Sequence, residues 1–295
     1  MSISLDFKAD CRSYEGNAGL EQGWDGLQDL IDLGTIEGDV LAFGGIVSNA
    51  HALETLRRTA QARAVSAGQM VCTGDVVAYC GQPVEAVAGL RALGAATIRG
   101  NCEESLAESA PDCGCGFDAG STCDLLSVAW YAHADASLGV SGRKWMATLP
   151  GLAVFRAYGR RWGVVHDGAT AVNRFLWPTS PEVAFAEEIA ALEAIAGPVD
   201  AVLAGHCGLP FLREVAGRMW FNTGALGMPP NDGDRRTSFG VNGADGPSVE
   251  RLDYDHAAAA EAMRIVGLNQ GYDRSLLTGW WPSEDILPTD LRRAA

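Results

Sequence analysis

From Asp39 to Asn101 apolar runs and amphipathic stretches alternate with the spacing of strands and helices, and this alternation restricts the fold more than any other feature. DVLAFGG reads as a buried strand, Ser48 to about Ala67 as an amphipathic helix, QMVCTGD as a second strand, VEAVAGLRAL as a second helix and AATIRGN as a third strand. Such alternation predicts βαβ units in a parallel sheet, in which the loops after the strand C-termini gather along one edge. A Cys-rich segment at 104–150, containing the helical stretch CDLLSVAWYAHADA, interrupts the pattern. LAVFRAYG and RRWGVVHDG then read as paired strands, followed by a helix at about 182–196, the strand DAVLAGH, and short strands at RMWFNTG, TSFGVNG and SVERLDY. Gly and Asn turns between these late strands predict a second, more antiparallel sheet.

The expected organisation is one domain over 38–255, with 104–150 as a cap-like insertion. Residues 1–37, with an apolar patch at Leu27, Leu30 and Ile31, read as an N-terminal extension packed on the body, and 256–295 as a C-terminal helix and tail. The tail contains TGWWPSEDILP, and its Trp280, Trp281 and Ile286 predict a segment folded back on the body, or failing that a homodimer contact, because exposed aromatic patches are uncommon on monomers.

An apolar content of 47% over 295 residues suffices for a large core. The formal charge of -15 opposes nucleic acid, whose binding rests on basic contacts to phosphate. A small phosphorylated ligand stays compatible with that charge if a cation offsets it locally. MSISLDFKADCRSYEGNAGL has neither the basic nor the apolar region of an export signal, and no run approaches the roughly 18 apolar residues of a membrane span. A cytoplasmic location with no membrane partner is therefore expected, with the eight cysteines as reduced thiols or metal ligands rather than disulfides.

Four strand-end loops carry the chemistry: CTGDVVAYCG with Asp75, IRGNCE with Asn101, VVHDG with His166 and LAGHCG with His206. Gly-Asp and Gly-Asn are ordinary turn dipeptides, and a strand-end His is commonly structural. Together, however, a carboxylate, a carboxamide and two imidazoles at successive strand ends suit one divalent transition metal such as Mn, Zn or Fe, with positions left for water or substrate.

The ordered motifs GDVVAYCG, GNCE, VHDG, GHCG and NTGALGMPPNDG resemble those of the calcineurin-like metallophosphoesterases, most closely in style the bacterial phosphodiesterase branch, from about residue 40 to 254. The resemblance implies an α/β fold of two facing mixed β-sheets flanked by helices, with a metal centre at one end. It also exposes departures. Where the family has Asp-x-His, this chain has Gly45 and Val47, and Gly208 replaces the second His of Gly-His-x-His. Those groups are private ligands of one of the family's two metals, so the resemblance implies a vacated first site beside a second whose ligands match Asp75, Asn101, His166 and His206. The family's Gly-Asn-His-Asp motif is GNCE, so Cys102 stands for the proton-donating His and Glu103 for the Asp that steadies it. Losing a general acid costs about 10²- to 10⁴-fold in rate.

Three functions remain open on this reading: metal-dependent hydrolysis of a small phosphomonoester or phosphodiester at a single-metal site with weak or atypical activity, non-catalytic binding of a phosphate or nucleotide, or thiol chemistry at Cys102. Cys102 itself reads as proton donor, metal ligand, nucleophile or inert buried thiol. Cys113, Cys115 and Cys123 read as part of a loop shielding the metal edge, or with Cys102 as a four-thiolate zinc site that lacks the usual paired spacing. Cys207 is expected to point away from its neighbour His206 if the segment is extended. Asp167 could orient a ligand from behind, His51 reads as a solvent-facing or capping residue of the first helix, His133 and His256 read as surface residues, and Arg99, Arg160, Arg161, Arg235 and Arg236 as either phosphate counter-charges or partners of surface carboxylates.

Overall fold

A computed structural model describes residues 30–293. Its strands are β1 (Leu30–Thr35), β2 (Val40–Phe43), β3 (Met70–Cys72), β4 (Ala96–Thr97), β5 (Leu152–Ala157), β6 (Arg160–Val164), β7 (Ala201–Ala204), β8 (Pro210–Val215), β9 (Arg218–Thr223), β10 (Thr237–Gly243) and β11 (Gly246–Leu252). The helices are α1 (Ala50–Ala62), α2 (Pro83–Leu93), α3 (Asn101–Glu108), α4 (Thr122–Ser137), α5 (Val140–Met146), α6 (Glu182–Ala196), α7 (His256–Ile265) and α8 (Tyr272–Thr278). None is long and apolar enough to cross a membrane among the described residues.

The strands form two mixed sheets, one ordered β1-β5-β6-β7-β9-β8 and the other β11-β10-β2-β3-β4. Alternate faces of the short central strands supply two cores. Val40, Ala42 and Val71 face Phe155, Trp162, Leu203 and Phe221 across the gap between the sheets. Leu41, Phe43 and Cys72 point the other way, against α1, α2 and α4. Strands buried on both faces read as continuous apolar runs, which is why VLAF and AVLA carry no polar alternation.

Two expectations need correction. The late strands do not make a sheet of their own: β9 joins β7 in parallel, while the β10–β11 hairpin crosses to the early strands and pairs antiparallel with β2. Leu30–Thr35, assigned to an extension, is an edge strand running parallel to β5. Residues 1–29 of that extension lie outside the described residues. Segment 104–150 folds as the end of α3 followed by α4 and α5, and the C-terminal α7 packs against α8 and α1.

The turn after β2 is held from far along the chain. Asn49 caps α1 by accepting from Ala52 N at 3.0 Å, and its Nδ2 donates to Gly227 O and to Tyr254 Oη, both at 2.9 Å. An N-cap of this type stabilises by about 1 kcal/mol, and here it also ties the turn to the C-terminal half of the domain.

Candidate metal centre

Asp75, Asn101, His166 and His206 follow β3, β4, β6 and β7, whose C-terminal ends lie at one edge of the sandwich. Their side chains converge. His166 Nε2 stands 3.2 Å from Asn101 Oδ1, 3.1 Å from His206 Nδ1 and 3.3 Å from Asp75 Oδ2, and His206 Nδ1 is 4.0 Å from the same carboxylate oxygen. Asp75, His166 and His206 each offer a ligand atom within 4.8 Å of the others.

The hydrogen bonds around the cluster fix which atoms face inward. His166 Nδ1 donates to Thr73 O at 2.6 Å, so Nε2 presents its lone pair to the centre. Asn101 Nδ2 donates to Cys113 O at 2.8 Å, which turns Oδ1 inward. Such outer partners set the orientation and basicity of metal ligands. Four electron-rich atoms facing one point, almost without donors, form a set that a divalent cation satisfies, so these residues fit the metal that the motifs imply. Without a cation, a proton on His166 takes its place beside Asp75, and a bound metal would displace that proton. Burial alone would raise the Asp75 carboxyl, but His166 and then His206 outweigh it and hold Asp75 well below the carboxylate range. Burial would lower His166, but the Asp75 charge and hydrogen bond lift it to about 9. Burial, opposed by Asp75 but reinforced by His166, keeps His206 below its ordinary value, a neutral imidazole with a lone pair to give.

The backbone is strained where the ligands are presented. Asp75 and His206 adopt φ of +51° and +56°, conformations that non-glycine residues hold only when their surroundings impose them. At Gly100 a Cβ would stand inside contact distance of Asp75 Oδ1 and 2.8 Å from His166 Cε1, so no larger residue fits there.

Glu103 is fully buried and faces the backbone rather than Cys102. Its Oε2 accepts from Asp75 N (2.8 Å) and Gly100 N (2.9 Å), and its Oε1 from Val76 N (2.8 Å) and Val77 N (3.3 Å). It is a positioning residue that clamps the Asp75 loop onto α3. Cys102 lines the cavity above the centre. Burial, with the charges of Asp75 and Glu103, holds its thiol far above the usual range, so it stays protonated and is a poor nucleophile.

Other expectations fare differently. Cys113 and Cys115, with Cα atoms 5.3 Å apart, are joined as a disulfide, contrary to the expectation of reduced thiols and incompatible with a four-thiolate zinc site. Cys207 lines the same cavity as His206, because the positive φ of His206 bends the segment that was taken as extended. Asp167 accepts from Leu176 N at 2.9 Å and anchors the loop after β6, and the role of orienting His166 falls to Thr73 O. His256 is buried, 3% exposed, not a surface residue. Among the described residues no arginine or lysine lines the cavity; Arg161 caps the end of α6 through the carbonyls of Ala196, Gly197 and Pro198, and Arg236 pairs with Asp234.

Gly45, Val47 and Gly208 border this same cavity. Gly45 has φ of +54°, and a Cβ there would lie 2.9 Å from the Ala225 methyl. A Cβ at Gly208 would touch the Trp281 ring at 3.4 Å. The C-terminal tail does fold back: Trp281 donates from Nε1 to Pro229 O (2.6 Å) and from its backbone N to Asn231 Oδ1 (2.7 Å). Ala225, Phe175, Trp177 and Tyr272 carried no recognisable signal in sequence, since only the folded chain brings them to the cavity.

Two mixed sheets with a nitrogen- and oxygen-rich donor set at their C-terminal edge define a metallohydrolase-type sandwich. Residues 44–242 match the calcineurin-like phosphoesterase superfamily domain, and the chain belongs to that family. The fold is shared with a metallophosphoesterase from Sphaerobacter thermophilus at 21% identity and a TM-score of 0.60, over 83% of this chain and 100% of that one. It is likewise shared with hypothetical protein PH1004 from Pyrococcus horikoshii OT3 at 16% identity and a TM-score of 0.68, over 83% and 99% of the two chains. No curated protein matches the chain at a significant level.

Proposed function

We propose that this protein hydrolyses a small phosphomonoester or phosphodiester at a single-metal site, with one Mn, Zn or Fe ion held by Asp75, Asn101, His166 and His206. The convergence of these four groups on the point faced by His166 Nε2 carries the reading. A bound cation would lower the pKa of water and offset charge on the phosphoryl oxygens. Thr73 O holds His166 in the ligating tautomer, and Glu103 fixes the loop that presents Asp75. Cys102, protonated and bordering the cavity, is the proton donor toward the leaving group in this scheme.

A single site is supported by the packing at two of the altered positions. Ala225 occupies the space a side chain at Gly45 would need, and Trp281 stands over Gly208. Rates are expected to be low, because a clamp of two ions is lost and a thiol is a weaker acid catalyst here than an imidazole. A second reading, binding of a phosphate or nucleotide without catalysis, draws support from the same loss.

Metal analysis of purified protein, followed by turnover of bis(4-nitrophenyl) phosphate with and without Mn, tests the proposal. One equivalent of metal with metal-dependent turnover that Asp75→Asn abolishes supports it. Metal and phosphate binding without turnover favours the binding reading. Cys102→Ala should slow metal-dependent turnover by about 10²-fold if the thiol donates the proton; thiol chemistry independent of metal would instead vanish with that variant and survive Asp75→Asn.

A further inference from the structure

We infer that the segment 280–287 is a strap that seals the metal centre and has to lift before an ester can reach it; this rests on the phosphoester reading of that centre. Size motivates the inference. The cavity bordered by Asp75 and His206 measures about 70 Å³, room for about five waters at roughly 10–15 Å³ each and less than half of the roughly 150 Å³ that holds a benzene-sized group. A phosphoryl group alone takes up most of that space, and the group esterified to it has no place while the cover is down. Among the described residues, Trp281, Ser283 and Ile286 of the strap form part of that cover, and the Trp281 ring lies where a Cβ on Gly208 would touch it.

The strap is attached more lightly than the elements beside it. It begins after Gly279, which ends α8 with φ of +78°. Leu276 of α8 is buried in the main core, whereas Leu287 of the strap is buried in a small separate cluster with Trp177 and Cys207. Polar latches supply the remaining attachment. Trp281 is bonded to Pro229 and Asn231, Asn231 Nδ2 donates to Glu284 Oε1 at 2.6 Å, and Asp285 Oδ2 accepts from Thr122 N at 3.0 Å. Each such bond shifts an opening equilibrium by no more than about tenfold once water competes for the same groups. A segment held by few buried apolar contacts opens while the rest of the domain stays folded. The strap lies beyond the family-matched residues 44–242, so this closure belongs to the chain's own C-terminal segment.

Hydrogen exchange on the full-length protein, read beside the removal of bound Mn by EDTA, tests the inference without any turnover. The amide of Leu287, bonded to Glu284 O, should exchange at least about 100-fold faster than the amides of β3 and β7. Asn231→Gly removes two latches, suits the φ of +59° at that position and leaves the cavity lining intact, so it should speed both Leu287 exchange and Mn removal by about tenfold. Should that variant fail to fold, Trp281→Phe, which keeps a ring and loses the bond to Pro229, should raise both rates in its place. Leu287 exchange as slow as that of the sheets, or Mn removal unchanged in the variant, overturns the inference. Protein that takes up no metal sinks the phosphoester reading and leaves the strap to be decided by its exchange, whereas metal-dependent turnover beneath a strap as protected as the sheets does the reverse.

Discussion

His166 Nε2 and His206 Nδ1 face each other at 3.1 Å, two imidazole nitrogens aimed at the same point as the Asp75 carboxylate. A cation bound by these groups binds the folded chain and not the unfolded one, so binding it stabilises the fold. At one hundred times its dissociation constant a ligand adds about 2.7 kcal/mol, which for a domain of this size raises Tm by about 5–10 °C. A melting series with Mn or Zn should show that rise, and Asp75→Asn and His166→Ala should each remove it.

Glu103 satisfies four backbone N–H groups that have no water to turn to. Glu103→Ala should therefore cost about 3–5 kcal/mol in chemical denaturation, more than an active-site acid would if its task were only catalysis. Preserved stability in that variant would show that the loop is held by something other than this carboxylate.

Restoring family-type residues should not restore a second metal. Gly45→Asp, combined with Val47→His and Gly208→His, forces a side chain against Ala225 and another against Trp281. The triple variant should still bind one equivalent of metal and be destabilised by about 2 kcal/mol or more, through overpacking and a positive φ at a non-glycine residue. Two equivalents by metal analysis would contradict the account of these positions.

His256 gives the fold a pH dependence. Burial, with Arg235 nearby, depresses its pKa despite a 3.0 Å contact to Asp253. Between the depressed folded value and the ordinary unfolded value of about 6.5 the unfolded chain binds more protons. The stability that depends on neutral His256 is present above pH 6.5 and is lost as pH falls through the folded value. His256→Phe keeps a ring beside Tyr254 and should flatten the fall in urea midpoint between pH 7.5 and 5.5.

The strands and helices from β2 to α2 were legible because strand and helix periods alternate cleanly there, and the four converging groups because each ends an apolar run with a glycine beside it. What sequence could not show was set by contacts across the fold. The pairing of β10 with β2 leaves no local mark, since a buried strand reads alike beside any partner. GNCE reads as a strand-end turn, yet Asn101 opens α3, because Glu103 at the third helical position reaches back to Gly100 N. The burial of His256 and the disulfide of Cys113 and Cys115 equally depend on what the fold sets beside them.

The bonds from Asn49 to Gly227 and Tyr254 join positions separated in sequence by 178 and 205 residues. During synthesis on the ribosome, Asp75, Asn101, His166 and His206 all emerge before Gly227 and Tyr254, which brace the neighbouring turn. The turn after β2 is therefore among the last features of the domain to take its final shape, because the contacts that brace it are so distant in sequence.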